Sequence, residues 1–178
     1  MRNVSTTRVA FGIIAALRIT APARAESPNT SDDLEAIGLE MERASRLPVA
    51  ERESALQSLS ARMNQVLKKS EGSNKTAAQF LYGEIRFLSG DRSKAIEMYR
   101  RAEKEGGRYA DDAAFAAVIA LEGREGDAAA AAAWLEWEKK YPKSPLRGEA
   151  LVARSWNALR RDALDETKRL LDQIDKQS

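Results

Sequence analysis

AAQFLYGEIRFLSGDRSKAIEMYRRA, residues 77–102, reads as two amphipathic segments joined by a tight turn. The first segment ends at Gly90-Asp91, and the second carries Ala95, Tyr99 and Ala102 on one face. The same punctuation returns at Gly126-Asp127 and, in degraded form, at Arg161-Asp162, so that Asp91, Asp127 and Asp162 lie 36 and 35 residues apart. A period in this range marks stacked helix–turn–helix units, each of which needs its neighbour to cover its apolar face.

Working outward, the spacing divides residues 76–178 into units at 76–107, 108–143 and 144–178. In the first, Thr76 to Ser89 is expected as helix A and Arg92 to Glu105 as helix B. Gly83 and Ala95 supply small side chains where the helices approach, Ile96 and Tyr99 fill the space between them, and Gly106-Gly107 closes the unit. The second runs from Tyr109 to Tyr141 and is expected to break at Gly123–Gly126; its alanine run, Ala128 to Ala133, is a strong helix former. The third opens at Ser144-Pro145, an N-cap followed by Pro at the first helical position. Leu151, Val152, Ser155 and Leu159 mark its helix A and Leu164, Leu170, Leu171 and Ile174 its helix B. It lacks the Gly-Asp turn and has Glu166 where the small residue belongs.

Ahead of these units, residues 26–75 read as a linker and an N-terminal helix pair, either a cap or a diverged repeat. Ser31-Asp32-Asp33 is the expected N-cap, and Leu34, Ile37, Met41 and Ala44 form a stripe at helical spacing. Leu47-Pro48 ends that helix; Leu56, Leu59, Met63, Val66 and Leu67 supply the buried face of the next, before a loop at Ser70 to Lys75. The alanine-rich, β-poor composition places the chain in the all-α class.

Residues 1–25 read as a signal peptide: Arg2 and Arg8 in a basic leader, an apolar run from Val9 to Leu17, and small residues at Ala23 and Ala25, with cleavage expected after Ala25. The address is therefore periplasmic or secreted. The apolar run is far below the roughly 20 residues that span a bilayer, so no transmembrane segment is expected in the mature chain. Four arginines leave with the signal, so 25 basic residues face 27 acidic ones and the electrostatic case for nucleic acid disappears. With no cysteine, there are no disulfides and no thiol chemistry.

Gly83, Gly90, Asp91, Ala95, Tyr99 and Ala102, echoed by Gly126, Asp127, Ala131 and Leu135, resemble the tetratricopeptide (TPR) repeat. Tyr141-Pro142-Lys143-Ser144-Pro145 resembles the junction common in envelope TPR proteins. The resemblance covers about 100 residues and implies a right-handed superhelical array of antiparallel helix pairs, a TPR-like α-α solenoid whose helix A residues contact a ligand on the concave face. Carried over by the Gly-Asp register, those residues are Phe80, Glu84, Phe87 and Leu88, then Ala116, Ala120, Gly123 and Arg124, then Leu151, Ser155 and Leu159. The Lys and Asn positions of a carboxylate-clamp TPR hold Phe80, Glu84, Ala116 and Ala120 instead, which disfavours capture of an acidic peptide C-terminus. Trp134, Trp137 and Tyr141 share one edge of a helix; Trp134 is expected buried and Trp137 partly exposed, with Trp156 packing on the same side.

Histidine is absent as well as cysteine, which removes the usual general base and the commonest zinc ligands. No Ser-x-x-Lys nucleophile and no Gly-rich phosphate loop is present, and no cofactor is implied. Carboxylates such as Asp111, Asp112 and Glu122 read as solvated helix faces. The expected function is a non-catalytic scaffold or adaptor in the cell envelope, binding a segment or helix of a protein partner. An alternative is the superhelical, non-catalytic region of a larger exported enzyme or assembly component. A third reading is a homo-oligomer stacked through an uncovered repeat end.

Overall fold

The computed structural model describes residues 28–175, in which eight α-helices and one short 3-10 turn follow one another with no strand among the described residues. The helices are α1 (Pro28–Ser45), α2 (Val49–Lys69), α3 (Gly72–Leu88), α4 (Arg92–Glu105), α5 (Ala110–Glu125), α6 (Asp127–Lys140), α7 (Arg147–Arg160) and α8 (Leu164–Asp175). The 3-10 turn, Gly107–Tyr109, leads from α4 into α5. The expected signal peptide, residues 1–25, lies outside the described residues. None of the described helices is long and apolar enough to cross a membrane.

Each helix packs on the next one in the chain, and α1 also touches α3. Burial follows the expected stripes in α1 and α2: Leu34, Ile37, Met41 and Ala44 meet Leu56, Leu59, Met63 and Val66 in one core with α3. A second core joins α3 to α7 around Phe80, Tyr99, Phe115, Trp134 and Trp137. A third, smaller one joins Leu151 and Ala158 of α7 to Leu170 of α8. In α5 every residue from Ala113 to Ala120 is buried, so burial runs round the helix instead of along one stripe.

Several boundaries differ from the sequence expectation for identifiable reasons. α1 begins at Pro28, ahead of the N-cap expected at Ser31-Asp32-Asp33. α3 begins at Gly72 instead of Thr76, and its first turns are packed, with Asn74 and Thr76 buried. α5 runs through Gly123 to Glu125. Gly123, inside the helix, lies against the Arg92 side chain, while Gly126 (φ +90°) makes the turn. α7 starts at Arg147, not at Ser144-Pro145. The Ser144 hydroxyl donates to Asp111 Oδ2 (2.5 Å) and accepts the Leu146 amide (3.1 Å), which ties the loop to α5.

The turns also correct the repeat register. Left-handed residues stand at Gly90 (φ +83°), Gly126 (φ +90°) and Asp162 (φ +59°), 36 residues apart each time. At Gly90 and Asp162 the closing bonds are identical: residue 90 to the 87 carbonyl and 91 to 86, residue 162 to 159 and 163 to 158. That is the Schellman pattern, in which the left-handed residue is usually glycine. Asp162 therefore does the work of Gly90, not of Asp91. Thr167, buried, stands in the place of Ala95, where Glu166 was expected. α6 starts directly after Gly126, so Ala130 and Trp134 take the fourth and eighth helical places held by Ala95 and Tyr99 in α4. Ala131 and Leu135, expected there, are half-buried and exposed.

Candidate interaction surface

Most of the residues expected to contact a ligand lie inside the protein. Phe80 is buried, stacked on Tyr109 (ring centroids 6.0 Å apart) and tilted against Tyr99 (5.7 Å). Leu151 is packed in the core shared with α8, and Ser155 donates its hydroxyl to the Leu151 carbonyl (2.8 Å). Phe87 is half-buried under the Arg92 guanidinium, 5.3 Å from its ring centroid. Arg124 is exposed and pairs with Glu125 (3.1 Å). Of the residues carried over from the repeat pattern, Phe80, Glu84, Ala116, Ala120, Leu151 and Ser155 offer a partner no surface.

Trp137 departs from expectation: it is 3% exposed, as deeply set as the buried Trp134. Phe115 meets both indoles edge-on, at 5.0 and 5.7 Å, and Trp137 Nε1 donates to the Asp111 carbonyl (3.0 Å). An indole with its N–H satisfied is stable in a core. Leu146, Ala150 and Ala153 share this core, whereas Trp156, expected to pack there, points outward.

Glu84 is the electrostatic anomaly of the interior. It is 3% exposed, its Oε1 accepts the Tyr99 hydroxyl (2.5 Å), and burial pushes its carboxyl up to about 7 against that hydrogen bond, with Asp112 adding to the rise. Burial, and then Asp111, push Asp112 up to about 6. Burial and the Glu84 charge hold the Tyr99 hydroxyl well above the usual tyrosine range. A carboxyl titrating near neutrality is suited to proton transfer only where a substrate reaches it. Glu84 lines neither of the two clefts below. Among the described residues no group of three or more His, Cys, Asp or Glu is arranged to hold a metal ion.

The clefts are shallow. One, of about 220 Å³, lies between α4, α5 and α6 over Ala114, Ala117, Val118 and Ala133, with Arg100 and Lys140 at its rim. The other, about 800 Å³ and more polar, lies between α2 and the end of α3, with Arg52, Gln57, Asn64 and Arg86 on its walls.

Among the described residues, α7 carries more large exposed apolar side chains than any other helix. Val152, Trp156 and Leu159 are 41%, 49% and 44% exposed at i, i+4 and i+7 spacing, which aligns them on one side of the helix. Counted back from the left-handed residues, 152, 156 and 159 are the positions of Phe80, Glu84 and Phe87 in α3, and of Ala116, Ala120 and Gly123 in α5. In α3, Phe80 shares its core with α5 and Phe87 packs against that core; in α5, Ala116 and Ala120 share theirs with Ala150 and Ala153 of α7. Among the described residues, only in α7 are all three members of this stripe large apolar side chains left 41–49% exposed. The aspartate register was one residue off in the third unit, so it selected Leu151, packed in the core with α8, and the buried Ser155 in place of Val152 and Trp156. The i, i+4, i+7 spacing was the signal that finds the stripe. Comparison with protein-family models, with curated proteins and with solved structures returned no match.

Proposed function

We propose that this chain is a non-catalytic interaction scaffold of TPR-like build, a right-handed superhelical array of helix pairs exported to the cell envelope, which docks a helix or segment of a partner protein. The observation that carries the proposal is the exposed stripe Val152–Trp156–Leu159, whose first two positions the preceding units bury. An apolar helix face of this kind is what a partner helix recognises through i, i+4 and i+7 anchors, and a Trp at its centre is a typical hot-spot residue. The 36-residue spacing of the left-handed turns supports the repeat reading. The same uncovered face suits the alternative, in which the next helix pair belongs to a longer exported enzyme or assembly component.

The test places a photo-crosslinking amino acid at position 156, and at the exposed position 101 on α4 as control, in cells that make the protein naturally. A discrete protein adduct from position 156 that position 101 does not give is the expected result. Equal labelling from both positions, or none from either, overturns the proposal.

A further inference from the structure

We infer that the helix received by the α7 face is α7 of a second copy, paired antiparallel across a two-fold axis. The inference rests on reading that face as a docking surface and names its occupant. At about 100° per residue, Val152, Trp156 and Leu159 occupy an arc of about 60°, and Glu149 and Arg160 lie together on one flank, within about 40° of Trp156. A two-fold axis normal to the plane of two side-by-side helices keeps that flank on the same side in both copies. Val152 then meets the partner's Leu159, Trp156 lies beside the partner's Trp156 near the axis, and Glu149 meets the partner's Arg160 at each end.

The face thus pairs with itself in apolar pattern and in charge. Glu149 is exposed and has no ion pair among the described residues. Arg160 is held by Asp127 Oδ1 (2.7 Å) and Glu122, yet its side chain remains 38% exposed. Antiparallel pairing also sets opposite ends of the two helix dipoles together. Leu164 and Leu171 of α8, both exposed, add apolar area at the same end of the molecule. The opposite end does not match it: α1 presents Asp32, Asp33, Glu35 and Arg43, with Leu39 its one large exposed apolar side chain. A head-to-tail filament is therefore disfavoured, and a closed, isologous dimer remains.

Sedimentation equilibrium of the full chain over a wide concentration range tests this, together with iodide quenching of tryptophan emission. Trp134 and Trp137 are buried, so quenching reports Trp156. The mass is expected to rise from monomer to dimer with concentration while Trp156 becomes protected in step. Trp156→Ala weakens the dimer at least about tenfold and Glu149→Arg several-fold, as hot-spot and rim positions do, with helical content unchanged. A monomer at every concentration overturns the inference, as does a dimer in which Trp156 stays equally quenchable. A monomer that still crosslinks from position 156 to a different protein overturns the second copy alone and leaves the docking surface standing.

Discussion

Glu84 shows how far one side chain can depart from its solution chemistry when packing fixes its place. With an ordinary value of 4.5 and a folded value of about 7, it keeps its proton in the folded chain where the unfolded chain has lost it. Below the ordinary value both states are protonated and the burial is harmless. Between there and about 7 the unfolded chain releases a proton the folded one retains, so stability falls as pH rises; above that window the full penalty, on the order of 3 kcal/mol, is in force. Asp112, raised from 3.8 to about 6, contributes with the same sign in a lower window. Glu84→Gln keeps an acceptor for the Tyr99 hydroxyl and removes the titration. Urea unfolding across a pH series should show the variant more stable than the wild type at pH 8, with the difference shrinking towards pH 5; parallel curves would mean that Glu84 is ionised throughout. The neighbouring Gly83 is a steric case. An added Cβ would overlap Cε1 and Cδ1 of Tyr99, a buried ring tied to Glu84 and unable to swing away. Gly83→Ala should lower stability by about 1–3 kcal/mol in the same denaturant assay, as overpacked cores do.

At the scale of the elements, the sequence was most legible where caps were explicit. α4 was bounded correctly because Asp91 accepts the Lys94 amide (3.1 Å) at its start and Gly106 (φ +80°) stops it. α3 began earlier than read because Gly72-Ser73-Asn74 resembles a loop locally, yet Asn74 is buried by tertiary packing. α5 carries no stripe to read, since its buried residues run all round the helix. The burial of Trp137 depends on a carbonyl 26 residues away, which no helical wheel contains. The third turn was misread because its left-handed residue is an aspartate. Non-glycine residues are strained in that region, and Asp is among the few that tolerate it. Asp162→Gly should therefore raise stability by about 0.5–1 kcal/mol, and Gly90→Ala should lower it by about 1 kcal/mol, both measured from urea midpoints. A neutral or destabilising Asp162→Gly would show that the side chain contributes more than its backbone strain removes.

Across the whole molecule the junctions differ in kind, and this decides where it opens first. Between α3 and α5 the contact is apolar and aromatic, built from Phe80, Tyr99, Tyr109 and the buried face of α5. α7 joins the preceding core through the small side chains of Ala150 and Ala153, and polar groups carry much of the remaining contact. Asn157, 1% exposed, donates to Glu122 Oε1 (3.1 Å) and the Asp127 carbonyl (2.9 Å) and accepts from Arg161 Nε (3.0 Å). Arg154 sits between Glu138 of α6 and Glu166 of α8. The apolar core holding α8 to α7 is the smallest of the three. Polar junctions of this kind contribute little net stability while intact, but breaking one leaves buried groups without partners. The last helix pair should therefore open below the free energy of global unfolding, as a separate cooperative unit. Native-state hydrogen exchange should show α7 and α8 amides exchanging ahead of those in α3 to α5. Asn157→Ala removes the donor shared by Glu122 and Asp127 and should cost about 1–3 kcal/mol, felt as roughly tenfold or greater loss of protection in α7 and α8. Protection in α3 to α5 should hold near its wild-type level. If it falls equally everywhere, the molecule unfolds as one piece and the polar junction transmits stability instead of interrupting it.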